Sequence, residues 1–142
     1  MKSIHRVLVI DDDETSCIIN KIFLKEMNIT EEIECIEDAN EALSLLIKVS
    51  EEGSFKEKGP DLIFLDINMP KMDGFEFLER VRELEGRGAL CKQKIVMYTS
   101  SYHPRDIERA KQHGVLAYVI KPLTETKMKS ILEAYNNNAT RR

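Results

Sequence analysis

The sequence predicts an α/β fold in which helices cover both faces of a parallel, five-stranded sheet. Four short runs consist almost only of apolar residues, as expected for strands that are buried on both faces. These runs are residues 7–10, 62–65, 95–98 and 116–120. Segments with apolar residues at helical spacing separate them, and such alternation produces parallel sheets with right-handed crossovers. We therefore expect a three-layer, doubly wound architecture with five helices.

The first two helices and the second strand follow from local patterns. Residues 14–27 carry five apolar side chains at helical spacing, and we expect this face to pack on the sheet. They are Ile18, Ile19, Ile22, Phe23 and Met27. Residues 32–37 alternate between glutamate and apolar side chains, which is typical of a strand at a sheet edge. Asp38, with Glu41 three residues later, is typical of the start of a second helix.

The remaining helices have recognisable starts. Asp73 and Thr124 can act as N-caps, and Pro104 suits the first turn of a helix. The connection over residues 48–60 is long and polar in its second half, which predicts a surface loop or a frayed helix end. We expect one domain over residues 1–142, with a core over about 5–135 and a disordered tail over 136–142.

Polar residues stand where the apolar strands end. With the alternating strand at the edge, the strands take the flavodoxin-like order 2-1-3-4-5, which opens a crevice at the carboxyl ends of strands one and three. The strand-end residues are Asp11, Asp12, Asp66, Thr99 and Lys121. Because parallel strands end at one edge of a sheet, we expect these side chains to converge.

Composition narrows the classes of function. The formal net charge of −4 argues against a nucleic-acid binder. Three cysteines without a CxxC pair suggest packed or free thiols in a reducing cytoplasm. No apolar run approaches the roughly 18 residues of a membrane span, and the N-terminus lacks a signal-peptide core. We expect a cytoplasmic protein that contacts no membrane.

Carboxylates that lie a few ångströms apart cannot all stay ionised without compensation. The Lys121 ammonium is one compensator and a divalent cation is another. Mg²⁺ (or Mn²⁺) accepts one or two carboxylates and bridges to phosphate. We therefore expect a phosphoryl group to arrive with a metal ion, with Asp66 as the nucleophile that forms an acyl phosphate.

The other crevice residues have distinct expected roles. Asp12 would hold the metal directly and Asp11 through water, and the backbone carbonyl of Asn68 would complete the metal shell. Thr99 and Lys121 would contact phosphoryl oxygens. Asp13 is more plausible as a cap of the first helix.

Four segments of this sequence resemble the receiver domain of bacterial two-component response regulators, over residues 5–135. They are Val9-Ile-Asp-Asp12, Leu65-Asp-Ile-Asn-Met-Pro-Lys-Met-Asp-Gly74, Met97-Tyr-Thr-Ser100 and Tyr118-Val-Ile-Lys-Pro122. Each segment includes the end of a predicted strand. We expect no output domain after the last helix, and in this respect the chain resembles the stand-alone, chemotaxis-type regulators.

The resemblance implies a signalling role. Asp66 would receive a phosphoryl group from a sensor histidine kinase, a histidine phosphotransfer protein or a small acyl phosphate, with magnesium at Asp11, Asp12, Asp66 and the Asn68 carbonyl. Tyr118 matches an aromatic residue that moves when Thr99 engages the phosphoryl group. A downstream protein, not DNA, would bind the altered face, and the chain would not be a conventional enzyme. A half-buried tyrosine belongs to a core as often as to a switch, so both interpretations of Tyr118 stay open.

Two other functions are weaker. The pattern Asp11-x-Asp13-x-Thr15 is similar to the nucleophile motif of haloacid dehalogenase-type phosphatases, with Asp11 as nucleophile. That family needs a late pair of acidic metal ligands, and after Lys121 only Glu125 and Glu133 remain. A flavin- or nucleotide-binding protein is disfavoured because consecutive aspartates after strand one would repel phosphate.

Overall fold

The computed structural model describes residues 4–140, which form five strands and six helices. The strands are β1 (Ile4–Ile10), β2 (Thr30–Ile36), β3 (Leu62–Leu65), β4 (Ile95–Thr99) and β5 (Ala117–Ile120). The helices are α1 (Glu14–Glu26), α2 (Ala39–Glu51), α3 (Phe55–Lys58), α4 (Gly74–Gly86), α5 (Pro104–Gln112) and α6 (Glu125–Thr140).

All strand pairs are parallel and the sheet order is β2-β1-β3-β4-β5. This confirms the predicted fold, including the position of the alternating strand at one edge. The central strand β3 is buried at every residue, which explains its wholly apolar sequence. Its register on β1 pairs Val7 with Leu62 and Ile10 with Leu65, so the two strands end at the same level.

Two apolar cores flank the sheet. Helices α2, α4 and α5 pack on one face, where Leu8 and Ile10 of β1 point. Helices α1 and α6 pack on the other face, where Val7 and Val9 point. The alternation follows from the two-residue period of a strand. Each large side chain that is fully buried in these cores, such as Phe77, contributes about 1.5–3 kcal/mol to folding.

The orientation of α1 differs from the prediction. Three of the five apolar residues that were expected to face inward are exposed: Ile18 by 51%, Ile19 by 59% and Ile22 by 54%. The buried residues of α1 are instead Cys17, Asn20 and Leu24. Asn20 is held there because its side-chain oxygen accepts a hydrogen bond from the Tyr98 hydroxyl at 3.2 Å.

The predicted helix starts are confirmed. The Asp13 carboxylate accepts from Thr15 N, and the Asp38 carboxylate accepts from Asn40 N. Asp73 forms a reciprocal capping box with Glu76. The Thr124 hydroxyl accepts from Lys127 N at 3.2 Å.

The long 48–60 connection contains the one-turn helix α3 in addition to the five expected helices. The guanidinium of Arg6 donates to the Glu57 carbonyl and so ties this connection to β1. At the C-terminus, α6 extends to Thr140, so the expectation of a disordered tail from residue 136 is wrong up to that point. Residues 141 and 142 lie outside the described residues.

The expectation of free or packed thiols is wrong for two of the three cysteines. Cys17 of α1 and Cys35 of β2 form a disulfide, with their Cα atoms 6.0 Å apart. The 18-residue separation gave no pattern from which to infer the pair, because only the fold brings α1 onto β2. Cys91 is free and exposed. Within residues 4–140, no helix is both long enough and apolar enough to cross a membrane.

Candidate functional site

Backbone hydrogen bonds bring the strand-end residues to one edge of the sheet. The Asp66 N–H donates to Ile10 O at 3.0 Å, and the Lys121 N–H donates to Thr99 O at 2.8 Å. On the other side of β1, the Asp11 N–H donates to the last carbonyl of β2 at 3.1 Å. The parallel ladder therefore continues one residue past each strand and holds these backbones side by side.

One ammonium lies between two carboxylates. Lys121 Nζ is 3.0 Å from Asp11 Oδ2 and 3.3 Å from Asp66 Oδ2. The side chain of Asp11 is fully buried, that of Asp66 is 8% exposed and that of Lys121 is 20% exposed. Burial of an unpaired charge costs roughly several kcal/mol. The Lys121 ammonium offsets this cost for both carboxylates, because it pairs with each of them.

Asp12 completes a group of three acidic side chains. Carboxylate oxygens of Asp11, Asp12 and Asp66 lie within 4.8 Å of one another. Asp12 is exposed, so the cluster is open to solvent on its side. Closely spaced oxygen ligands with one open side suit a hard divalent cation such as Mg²⁺, which keeps part of its water shell. The donor set therefore fits the expected metal.

In the crevice, the pKa values of the Asp66 carboxyl and of the Lys121 ammonium are both raised above their ordinary values. Burial raises the pKa of the Asp66 carboxyl; the Lys121 ammonium opposes this rise and the Asp11 carboxylate adds to it. For Lys121, burial acts to lower the pKa, but the hydrogen bond to Asp11 and the charges of both carboxylates outweigh it, so the pKa is raised. The crevice carries excess negative charge that one lysine only partly balances.

Thr99 and Tyr118 are connected through the backbone of Ser101. The Thr99 side chain is buried, and its hydroxyl oxygen accepts from Ser101 N at 3.3 Å. The Tyr118 hydroxyl donates to Ser101 O at 2.8 Å. The Ser101 hydroxyl in turn bonds Asp106 of α5 at 2.7 Å. A continuous chain of hydrogen bonds thus runs from the strand end to the surface helix.

The loop after Asp66 is held against that residue by a glycine. The Asp66 carboxylate accepts from Ile67 N at 2.8 Å, and Gly74 N donates to Ile67 O at 2.8 Å. A Cβ on Gly74 would collide with the Asp66 carbonyl oxygen and would lie 2.8 Å from the Ile67 Cα. Asn68 lies in this loop with an exposed side chain, two residues after Asp66.

Tyr98 lies beside the crevice and was not predicted as a site residue from the sequence. Lys121 Nζ lies over the Tyr98 ring, 5.0 Å from the ring centre, so the ring stabilises the ammonium by a cation–π interaction. Tyr98 belongs to an apolar run, and its only distinguishing feature in the sequence was its place immediately before Thr99. The polar tip of a tyrosine inside a buried strand needs a partner, and that requirement could have drawn attention to it.

The phosphatase alternative finds no support in the crevice. Asp13, the second acid of that motif, caps α1 and does not belong to the cluster of Asp11, Asp12 and Asp66; a hydrogen bond from Ser16 lowers its pKa. Asp11 is fully buried and bonded to Lys121 and to Asp13 N.

The sheet order and the acidic crevice together define a receiver domain of two-component signalling systems. The chain belongs to the response regulator receiver domain family, whose sequence model matches residues 7–133. Members of this family are signalling domains that accept phosphoryl groups from histidine kinases or phosphotransfer proteins. The cluster of Asp11, Asp12 and Asp66 is compatible with a Mg²⁺-dependent phosphoacceptor site.

Individual relatives agree with this assignment. The two-component response regulator ARR11 of Arabidopsis thaliana is 32% identical over 126 residues, which are 89% of this chain and 21% of that protein. The chain spans half or less of the length of the first curated relatives that it matches.

Solved structures show the same fold. A two-component response regulator from Cytophaga hutchinsonii superposes with a TM-score of 0.82 at 28% identity, covering 96% of this chain and 99% of the other. The receiver domain of the histidine kinase CKI1 from Arabidopsis thaliana gives a TM-score of 0.78 at 28% identity, covering 93% and 90%. That domain was crystallised with Mg²⁺ and BeF₃⁻.

Proposed function

We propose that Asp66 is the phosphoacceptor of this receiver domain. The supporting observation is the position of its carboxylate, which shares one crevice with two further aspartates and is 3.3 Å from the Lys121 ammonium. A carboxylate oxygen of Asp66 attacks the phosphorus of a phosphohistidine or of a small acyl phosphate. The new oxygen–phosphorus bond forms as the bond to the donor breaks, and the donor leaves with that electron pair.

Asp11, Asp12, Asp66 and the backbone carbonyl of Asn68 are proposed to hold Mg²⁺, with Mn²⁺ as an equivalent. The three carboxylates are the basis of this assignment; the Asn68 carbonyl is assigned from the motif. When bound, the ion neutralises charge on the carboxylates and on the phosphoryl oxygens. A structure of a relative, the CKI1 receiver domain, contains Mg²⁺ and BeF₃⁻, which supports the same ligand class here.

Thr99 and Lys121 are proposed to bind the phosphoryl oxygens. Lys121 already lies against Asp66, and its ammonium remains protonated because the neighbouring carboxylates raise its pKa despite the opposing effect of burial. The Thr99 hydroxyl lies on the next strand end and has a proton to donate. Together they hold the phosphoryl group while Asp66 reacts.

The chain of hydrogen bonds through Ser101 is proposed as the output switch. When Thr99 turns to the phosphoryl group, its bond from Ser101 N changes, and the loop that accepts the Tyr118 hydroxyl moves with it. The surface formed by α5, β5 and α6 then binds a downstream protein, and no direct DNA contact is required. A shift from mostly off to mostly on needs about 5 kcal/mol. A few charge-assisted hydrogen bonds of roughly 1.5–3 kcal/mol each can supply it.

Phosphorylation by acetyl phosphate in the presence of Mg²⁺ tests the acceptor. We expect the intact mass of the protein to rise by one phosphoryl group, with the modification on Asp66, and to return as the domain dephosphorylates itself. Asp66→Asn should abolish the rise. Asp61→Asn is the matched control, because Asp61 precedes the same strand at its opposite end. Modification of the Asp66→Asn protein to the wild-type level would disprove the assignment.

A further inference from the structure

Lys127 clamps the backbone on both sides of Lys121. Its ammonium donates to Ile120 O at 2.6 Å and to Pro122 O at 3.0 Å. These carbonyls belong to the residues immediately before and after Lys121. The half-buried Lys127 side chain therefore spans the turn from β5 into α6 and bonds it at two points.

The location of Lys127 is unfavourable for the helix itself. It lies in the first turn of α6, where its backbone N–H is capped by the Thr124 hydroxyl. The N-terminus of a helix carries partial positive charge, so a cation in the first turn normally destabilises the helix. The hydrogen bonds of the ammonium to the two carbonyls offset this cost.

Lys121 needs such a clamp because its task depends on position. Its backbone N–H is fixed to Thr99 O at 2.8 Å on the sheet side, and its ammonium extends over the Tyr98 ring toward the acidic cluster. Without the clamp, the backbone on both sides of Lys121 would lose its hydrogen bonds to the Lys127 ammonium. A flexible four-carbon side chain on a loose backbone would spread its ammonium over a wider volume.

We propose that Lys127 is a positioning residue for Lys121: by holding the carbonyls of Ile120 and Pro122, it keeps the Lys121 ammonium at Asp11 and Asp66. The inference rests on the proposed function, in which Lys121 binds a phosphoryl oxygen. Lys127 does not itself contact the phosphoryl group; it acts through the β5–α6 turn.

Beryllofluoride binding in the presence of Mg²⁺, with Mg²⁺ affinity measured separately, tests this role. We expect Lys127→Met to weaken beryllofluoride binding by about 3- to 10-fold and to leave Mg²⁺ affinity nearly unchanged. The expected loss is smaller than that from removing a whole charge-assisted hydrogen bond, because Lys121 itself is still present. Lys127→Arg keeps donors for the two carbonyls and should restore most of the binding. Lys129→Met is the matched control, since Lys129 is on the same helix and pairs only at the surface with Glu125.

A double-mutant cycle separates positioning from general structure. In a Lys121→Met background the ammonium is gone, so adding Lys127→Met should cost no further affinity. An equal loss in both backgrounds, or no loss in either, would overturn the proposal.

A second measurement does not depend on phosphoryl chemistry. In the protein without metal or beryllofluoride, nuclear magnetic resonance should detect the Lys121 ammonium hydrogens, because hydrogen bonds to two buried carboxylates slow their exchange with water. This resonance should weaken in Lys127→Met and persist in Lys129→Met. An unchanged resonance in Lys127→Met refutes the positioning role. Failure of the wild-type protein to bind beryllofluoride would instead refute the proposed function.

Discussion

Replacement of Lys121 by methionine is the most direct perturbation of the crevice. Methionine keeps the apolar length of the lysine stem but removes the charge that Asp11 and Asp66 share at 3.0 and 3.3 Å. In the absence of metal, two buried carboxylates then face each other without a cation. We expect the free energy of unfolding to fall.

The size of the loss follows from burial. Removal of one partner from a buried ion pair costs about 3–5 kcal/mol. The lysine side chain is 20% exposed, and Asp66 can take up a proton, so we expect about 2–3 kcal/mol in this case. Saturating Mg²⁺ should reduce the difference, since the ion supplies the missing positive charge. If Mg²⁺ binds the variant about tenfold more tightly, because no ammonium competes for the carboxylates, the gap closes by about 1.4 kcal/mol.

Urea unfolding measures the loss of unfolding free energy and the part of it that Mg²⁺ restores. Far-ultraviolet circular dichroism follows the unfolding, since the chain has no tryptophan for fluorescence. The experiment compares a chelator with saturating Mg²⁺, and Lys129→Met is expected to match the wild-type protein under both conditions. An equal loss with and without Mg²⁺ would show that Lys121 stabilises the fold but does not share its carboxylates with the ion. No loss in chelator would refute the electrostatic reasoning altogether.

Three further predictions concern the residues around the crevice. Asp66→Asn should be more stable than the wild-type protein in chelator at neutral pH, and the two proteins should converge in acid. Burial raises the pKa of Asp66, so the stability that its protonated form provides is lost as the pH rises through the folded-state pKa. Urea midpoints measured from about pH 3 to 8, which spans the ordinary carboxyl pKa of 3.8, would show no pH-dependent difference if this is wrong. Gly74→Ala should lower the unfolding free energy by roughly 1–3 kcal/mol and weaken Mg²⁺ binding, because the added Cβ collides with the Asp66 backbone. Gly86→Ala, whose Cβ meets no atom within 4 Å, should be neutral or stabilising. Calorimetry that gave the same Tm change for both variants would contradict the packing argument. Reduction of the Cys17–Cys35 disulfide should cost about 3 kcal/mol in urea unfolding for an 18-residue separation, and a thiol titration of the native protein that finds no disulfide would remove this prediction.

The strand assignments show what local pattern can predict. The central strands are buried on both faces, so nearly every residue must be apolar and the run stands out in the sequence. The polar residues at their ends were then placed by topology alone, because parallel strands of one sheet end at one edge. The side-chain contacts around Lys121 could not be predicted in this way. The Tyr98 ring below Lys121 and the Lys127 clamp depend on side-chain paths that strand order does not specify.

The orientation of α1 shows where periodicity fails. Ile18, Ile19 and Ile22 have a helical spacing that predicts a buried face, yet the helix turns a different face to the sheet. The backbone hydrogen bonds of a helix are the same whichever face it turns to the sheet, so local energy does not select the face. Tertiary contacts decide it, in this case the Asn20–Tyr98 hydrogen bond and the Cys17–Cys35 disulfide.

The amino-acid sequence alone determined the parallel sheet and the placement of acidic, hydroxyl and ammonium groups at its carboxyl edge, because burial and chain direction leave few other arrangements. Only the tertiary structure decided how those groups share charge, which face of α1 meets solvent, and which distant cysteines meet. Such contacts depend on distances between elements that no local pattern encodes.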